Sequence, residues 1–169
     1  MRRNESCCQR YLDTSPISNL IVIDRLDLLK ATYGHIIVPF TAWKEIIALE
    51  NYGKNLSEFR VATWIEMVPL KPEELLPMQS YKLDLGEKEA ITLARIINAD
   101  LLLIDEKIGR EVAKEFGIKT TGLLGTLVTA KVMAKALSVK KIMDELKNKA
   151  GFWIANDLYQ EVLKLSGEL

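Results

Sequence analysis

The sequence predicts an α/β protein in which helices cover both faces of a five-stranded parallel sheet. Short apolar segments alternate along the chain with longer segments whose apolar residues recur at helical spacing. One short segment, residues 101–104, is apolar on both faces, which is typical of a central parallel strand. Strands separated by helices run parallel through right-handed crossovers. The length of 169 residues fits one domain, which we place at residues 11–165 after an N-terminal tail at residues 1–10.

Each element follows from a local signal. Strands are predicted where a short apolar run meets a turn or a breaker, at residues 9–12, 35–38, 65–68, 101–104 and 118–120. Helices are predicted where apolar residues recur every three to four positions, at residues 16–23, 24–31, 41–52, 86–98, 106–116, 123–136, 139–150 and 156–165. The predicted N-caps are Asp24, Ser138 and, for a further short helix, Ser57. Residues 69–81 contain three prolines and little periodicity, which predicts a loop.

Composition excludes several classes of protein. No apolar run approaches the roughly 20 residues that a transmembrane helix needs, and no apolar stretch follows the first residues as in a signal peptide. Cys7 and Cys8 are adjacent, so they cannot cross-link distant segments of the fold by a disulfide or form a zinc site. The single histidine, His35, rules out a site with several imidazoles. We therefore expect a reduced cytoplasmic protein, not bound to a membrane, whose chemistry depends on carboxylates and hydroxyls.

The charge is zero overall but unevenly distributed. Residues 45–106 hold 12 acidic and 6 basic residues, whereas residues 107–149 hold 10 basic and 4 acidic ones. This asymmetry suits an acidic metal site beside a surface for a polyanion, although two solvated helical faces would give the same pattern. Six lysines in the basic part could follow a phosphate backbone or simply be solvated: Lys131, Lys135, Lys140, Lys141, Lys147 and Lys149.

Acidic residues stand where the predicted strands end. Asp13 directly follows the first strand and Asp105 the central one, so both belong to the carboxyl edge of the sheet, where ligands bind. Glu45 lies one turn into the helix after the second strand, and Glu87 lies in the first turn of the helix before the central strand. Clustered carboxylates repel one another, and a hard cation such as Mg²⁺ or Mn²⁺ relieves this. Taken singly, each acid could instead cap a helix or be solvated.

These acidic residues lie in four successive segments: Leu12-Asp13-Thr14-Ser15-Pro16, Val38-Pro39 with Glu45-Ile46, Leu85-Gly86-Glu87-Lys88-Glu89-Ala90-Ile91, and Leu101-Leu102-Leu103-Ile104-Asp105-Glu106. In this order, the segments resemble the successive acidic motifs of PIN domains. Further downstream, Gly122-Leu123-Leu124-Gly125-Thr126-Leu127 and Gly151-Phe152-Trp153-Ile154 resemble a PIN-like subfamily of undefined function. The resemblance runs from about Tyr11 to Leu163. It implies a three-layer α/β/α fold and kinship with the toxin halves of VapBC toxin–antitoxin pairs.

The resemblance also implies a site and an activity. Asp13, Glu45, Glu87 and Asp105 take the four acidic positions, as catalytic residues and as ligands of Mg²⁺ or Mn²⁺. Four further residues are expected beside them: Ser15, which takes the hydroxyl position near the first acid; Asp84, the rival of Glu87; Glu106; and Thr121, which stands where some PIN nucleases carry another acid. The implied reaction is hydrolysis of single-stranded RNA, by a homodimer and with an antitoxin protein as a partner.

Some alternatives stay open. The chain could instead be a non-catalytic PIN-like module that binds nucleic acid or protein. Gly122 and Gly125 before a helix predict a tight turn, with phosphate binding as the alternative. Trp43, Trp64 and Trp153 are interpreted as core or dimer contacts, with base stacking as the alternative.

Overall fold

Five short strands form one sheet in the computed structural model, which describes residues 10–12, 14–134 and 137–169. The strands are β1 (Arg10–Leu12), β2 (Ile36–Pro39), β3 (Ile65–Val68), β4 (Leu101–Leu103) and β5 (Thr120–Thr121). Their order is β3-β2-β1-β4-β5, and every neighbouring pair is parallel. The order reverses between β1 and β4. In open parallel sheets a ligand crevice forms outside the carboxyl ends of such strands.

Helices connect the strands. The α-helices of the described part are α1 (Thr14–Val22), α2 (Asp27–Tyr33), α3 (Phe40–Ala48), α4 (Ser57–Arg60), α5 (Leu85–Ile96), α6 (Lys107–Glu115), α7 (Leu123–Met133), α8 (Val139–Lys149) and α9 (Asn156–Ser166). Two 3₁₀ helices lie at Leu49–Tyr52 and Pro72–Met78. No helix in the described ranges is long and apolar enough to cross a membrane.

Two groups of buried apolar residues lie on opposite faces of the sheet. Along β2, Ile36 and Val38 belong to one group and Ile37 to the other, because successive side chains of a strand point to opposite faces. The first group includes buried residues of α1, α2 and α7 to α9, and the second includes those of α5 and α6. The sheet is therefore covered by helices on both faces.

The structure corrects three local predictions. Asp24 does not cap a helix: its φ of 54° places it in a left-handed turn, and α2 begins only at Asp27. Ser57 is the first residue of α4 and Leu56 its N-cap. The predicted loop at residues 69–81 contains the 3₁₀ helix at Pro72–Met78, which Pro72 can begin because its missing N–H would have no helical acceptor. Residues 1–9 of the predicted tail and residues 135–136 at the end of a predicted helix lie outside the described residues, whereas Arg10 of the predicted tail belongs to β1.

Candidate active site

Asp105 joins the end of β4 to the start of α7. It follows β4 by two residues, and its Oδ1 accepts a hydrogen bond of 2.8 Å from the backbone N–H of Leu123. Gly122 makes this approach possible, because a β-carbon there would lie 2.5 Å from Asp105 Oδ1. The amide that could have bound a phosphate at the start of α7 is therefore occupied by a carboxylate of the chain itself. This favours the tight-turn interpretation of Gly122.

The carboxylate of Asp105 is held in an environment that disfavours its charge. Burial raises the pKa of Asp105, against the hydrogen bond from Leu123 and the nearby Arg110 guanidinium, and the neighbouring charge of Glu106 raises it further. Its Oδ2 is buried and has no hydrogen-bond partner within the described part of the chain. A buried carboxylate oxygen without a donor is costly unless a proton or a cation compensates it.

Asp105 lines a cleft of about 690 Å³ at the carboxyl edge of the sheet. We call it the Asp105 cleft; its lining consists of Ser15, Asn19, Asp105, Glu106, Arg110, Gly122, Leu124, Gly125, Ala150, Gly151, Phe152, Trp153 and Leu158. Ser15 and Glu106, both predicted neighbours of the site, therefore lie in the same cleft as Asp105. Glu106 is exposed, while the Ser15 hydroxyl accepts a hydrogen bond of 3.4 Å from the Asn19 amide.

Glu87 is buried between α5 and α6. Its Oε2 accepts a hydrogen bond of 3.1 Å from the Asp84 N–H, and Asp84 Oδ1 accepts one of 2.8 Å from the Glu87 N–H. This reciprocal capping box begins α5. The other oxygen, Oε1, has no hydrogen-bond partner among the described residues and lies 2.7 Å from where a β-carbon of Gly109 would stand. Burial raises the pKa of Glu87, against the Asp84 N–H bond, and the charges of Asp84 and Glu106 raise it further.

The predicted site residues are thus only partly brought together. Within the described lining of the Asp105 cleft, neither Glu45 nor Glu87 is found. Glu45 is exposed on α3, and Thr121 lies in β5 with its Oγ1 against Gly125. Glu87 is nonetheless near enough to Glu106 to feel its charge, as Asp105 is. Asp13 lies outside the described residues.

Glu89 is a candidate that the sequence reasoning missed. It is 7% exposed, and its Oε2 accepts a hydrogen bond of 2.8 Å from the Thr41 N–H in the first turn of α3. Because α3 begins directly after β2, this carboxylate lies at the carboxyl edge of the sheet. A sequence signal for it existed: Glu89 is three and four residues before Thr92 and Leu93, so it shares their buried helix face.

The carboxylates fit a divalent cation in part. Two buried oxygens, Asp105 Oδ2 and Glu87 Oε1, have no donor in the described chain, and carboxylate oxygens are the ligands that Mg²⁺ and Mn²⁺ prefer. However, residues 15–134 and 137–169 contain no group of three or more His, Cys, Asp or Glu side chains arranged to hold a metal ion. A complete ligand set would need Asp13, beyond the end of β1.

The comparisons with known proteins agree with this architecture. The family model described as a PIN domain, DUF3368, matches residues 11–168. A solved structure of a PilT N-terminus domain protein from the hyperthermophilic archaeon Sulfolobus solfataricus P2 is similar in fold, with a TM-score of 0.53 and 18% sequence identity. The match covers 72% of this chain and 92% of that one. Comparison with curated proteins gives no match.

The chain belongs to the PIN-domain family, as its ordered acidic motifs predicted. The α/β fold of that family is confirmed by the solved relative. PIN domains are generally nucleases and typically depend on a divalent metal ion.

Proposed function

We propose that this protein is a metal-dependent ribonuclease that hydrolyses phosphodiester bonds of single-stranded RNA, with Mg²⁺ or Mn²⁺ as the cofactor. One observation carries the proposal. Asp105 lines a cleft at the point where the strand order reverses, and its buried Oδ2 lacks a donor in the described structure. A carboxylate held in this way is suited to a cation. Family membership supports the nuclease activity in general terms.

Different residues of the chain would hold the cation, bind a water molecule and offset the negative charge of the site. Asp105, together with Asp13, would hold the cation, which when bound lowers the pKa of a water and stabilises charge on a phosphate oxygen. Glu106 is exposed in the same cleft, where its carboxylate can accept a hydrogen bond from a water molecule. The Arg110 guanidinium also lines the cleft and offsets the repulsion between these carboxylates and a phosphate backbone.

An exposed aromatic side chain favours a single-stranded substrate. Trp153 lines the Asp105 cleft although it is 83% exposed, whereas Trp43 and Trp64 pack against the core. Trp153 is therefore not a core residue, and its interpretation as a dimer contact stays a prediction. An indole face beside the cleft can stack on a base, and only unpaired bases offer a free face for stacking.

Cleavage by a matched pair of variants tests the proposal. Asp105→Asn keeps an oxygen that can accept the Leu123 N–H bond but removes the charge. We expect the wild type to cleave a fluorescent single-stranded RNA with Mg²⁺ or Mn²⁺ but not with EDTA, and Asp105→Asn to lose this activity. The control is Asp157→Asn, on an exposed aspartate of α9 that does not line the described cleft.

Two results would contradict the proposal. Equal cleavage by the wild type and Asp105→Asn would indicate a contaminating nuclease. Metal-dependent cleavage absent from the wild type on a panel of single-stranded RNAs would favour the non-catalytic binding module. The toxin role, the antitoxin partner and the homodimer stay predictions that rest on the family resemblance.

A further inference from the structure

A second cavity, of about 580 Å³, lies beside the Asp105 cleft. We call it the basic groove; its lining consists of Lys107, Arg110, Glu111, Lys114, Gly117, Ile118, Lys119 and Thr120. Four of these eight residues are basic and one is acidic. The groove therefore presents a concentrated positive charge in a concave surface, which favours an anionic ligand.

The groove follows helix α6 away from the candidate active site. Lys107, Arg110 and Lys114 are three and four residues apart, so they lie on one face of α6. From Lys107 to Lys114 the helix rises about 10 Å, at about 1.5 Å per residue. Successive phosphates of one nucleic-acid strand are closer together than this. In a B-form duplex, for example, they rise by about 3.4 Å each along the helix axis. The row of cations can therefore contact more than one phosphate of the same strand.

Arg110 joins the two cavities. It lines both the basic groove and the Asp105 cleft, and its Nη1 donates hydrogen bonds to the backbone carbonyl oxygens of Ile104 and Asp105. These bonds fix the guanidinium at the carboxyl end of β4. A nucleic-acid strand bound in the basic groove would therefore pass Arg110 and reach Asp105.

Two cations of the groove are available, whereas Lys107 Nζ lies 3.8 Å from Glu111 Oε1 and several lysines elsewhere are also engaged. Lys114 and Lys119 are exposed, and their side chains form no hydrogen bond or ion pair with any residue that the structure describes. By contrast, Lys131 Nζ lies 2.9 Å from Glu168 Oε1, and Lys147 Nζ lies 5.2 Å from the centre of the Tyr159 ring. The groove is thus better suited to bind a polyanion than Lys131 and Lys147, whose charged groups already have partners.

We infer that the basic groove binds the phosphate backbone of the single-stranded RNA on one side of the cleavage site. This inference rests on the proposed function and gives it a path for the substrate: phosphates along Lys107, Lys114 and Lys119, then Arg110, then the Asp105 cleft. Because the contacts are to phosphates, the groove contributes affinity without reading the sequence. Recognition of the base falls to the cleft.

Binding measured apart from catalysis tests this path. The anisotropy of a fluorescein-labelled oligouridine would be measured in EDTA over a range of KCl concentrations. For single strands the slope of log K against log salt is about −0.7 for each neutralised phosphate. The double substitution Lys114→Gln and Lys119→Gln should weaken binding at low salt and make the slope shallower by roughly 1.4. Both lysines are exposed, so thermal unfolding should be unchanged.

A matched control uses two adjacent exposed lysines of α8, substituted as Lys140→Gln and Lys141→Gln, which should leave the slope unchanged. The inference is overturned if the groove variant binds like the wild type, if the α8 variant alone loses affinity, or if the wild type does not bind oligouridine. Wild-type binding of a polyglutamate peptide with the same dependence on the groove lysines would also overturn it, in favour of an acidic protein partner.

Binding and cleavage, measured on the same variants, separate this inference from the proposed function. Loss of binding in the groove variant, with no metal-dependent cleavage by any variant, would support the groove and contradict the ribonuclease. Cleavage that depends on Asp105, with full binding by the groove variant, would support the ribonuclease and contradict the groove.

Discussion

A β-carbon on Gly122 would lie 2.5 Å from Oδ1 of Asp105, closer than two such atoms can approach. Gly122 therefore lets the carboxylate of Asp105, two residues after β4, reach the first free amide of α7, at Leu123. Glycine is required at this position because Asp105 lies so close to it. Its backbone conformation does not require glycine, since any residue can adopt its φ of −107°.

We expect Gly122→Ala to displace the Asp105 carboxylate. The overpacking should lower the free energy of unfolding by about 1–3 kcal/mol, and misplacement of Asp105 should lower the cleavage rate on the order of 100-fold. Urea denaturation and RNA cleavage would be measured together. Gly125→Ala is the matched comparison: Gly125 lines the same cleft, but its β-carbon would crowd Thr121 Oγ1 at 2.4 Å instead of Asp105. Equal loss of cleavage in both variants would contradict a specific effect on Asp105.

Asp105 should make the metal-free protein less stable as the pH rises. Burial raises the pKa of Asp105, so the folded state binds the proton more tightly than the unfolded state. The stabilisation is complete below the unfolded-state pKa of about 4 and is lost as the pH rises through the raised folded-state pKa. From about pH 4 upwards, the free energy of unfolding in EDTA should therefore fall less with rising pH for Asp105→Asn than for the wild type. Urea denaturation at several pH values measures this difference.

The same residue should couple stability to the metal ion. Mn²⁺ at 100 times its dissociation constant should stabilise the wild type by about 2.7 kcal/mol relative to EDTA. Asp105→Asn should gain much less, and the control Asp157→Asn should respond like the wild type. An identical response of Asp105→Asn and the wild type in thermal melts would show that Asp105 is not a ligand.

Glu168 should stabilise the fold at neutral pH and cease to do so in acid. Burial would raise its pKa, but hydrogen bonds from the Lys140 N–H, Lys131 Nζ, the Val139 N–H and the Ser138 hydroxyl lower it to about 2. A lowered acid pKa gives stability that is complete above the ordinary value of 4.5 and is lost as the pH falls through about 2.

Glu168→Gln should therefore lower the free energy of unfolding by about 1.5–3 kcal/mol at pH 7, the range for hydrogen bonds to a charged group. The difference from the wild type should shrink as the pH falls towards about 2. Urea denaturation across this pH range measures both effects. Glu161→Gln, on an exposed position of α9, is the control and should have little effect. A loss that is the same at every pH would contradict the role of the charge.

Trp153 should contribute to RNA binding but not to stability. Stacking of one base on an aromatic side chain is worth about 1–3 kcal/mol, so Trp153→Ala should weaken binding in EDTA by that amount. Trp153→Phe should keep most of the affinity. The residue is 83% exposed, so neither variant should change the melting temperature. Leu158→Ala removes an apolar but non-aromatic side chain from the same cleft, and an equal loss of affinity there would contradict stacking.

Much of the fold could be predicted because its signals are local. The apolar run at residues 101–104, which predicts β4, and the amphipathic pattern of α5 each lie in consecutive residues. Starts and ends of elements were less accurate. At Asp24 a left-handed turn replaces the predicted cap, because the N–H of Asp24 and that of Arg25 bond back to Ile21 and Leu20. Sequence propensity alone does not show whether an aspartate caps a helix or adopts a left-handed turn.

The candidate site was predictable only where chain connectivity places a residue. Asp105 follows the central strand, so its position at the carboxyl edge is a consequence of the topology. Glu87 and Glu89 are two residues apart on α5, and the spacing cannot say which neighbours they meet. The packing of α5 against other helices decides this: Glu87 lies against Gly109 of α6, and Glu89 binds the Thr41 N–H of α3.

The sequence by itself determined the α/β class, the order of the elements and the PIN family, because periodicity and motif order are properties of neighbouring residues. Only the tertiary structure decided that Arg110 joins the Asp105 cleft to the basic groove, and that Trp153 is exposed beside the same cleft. These features depend on which distant segments pack together. The groove combines one face of α6 with the residues entering β5, and the cleft combines α1, α7 and α9 with the loop before α9.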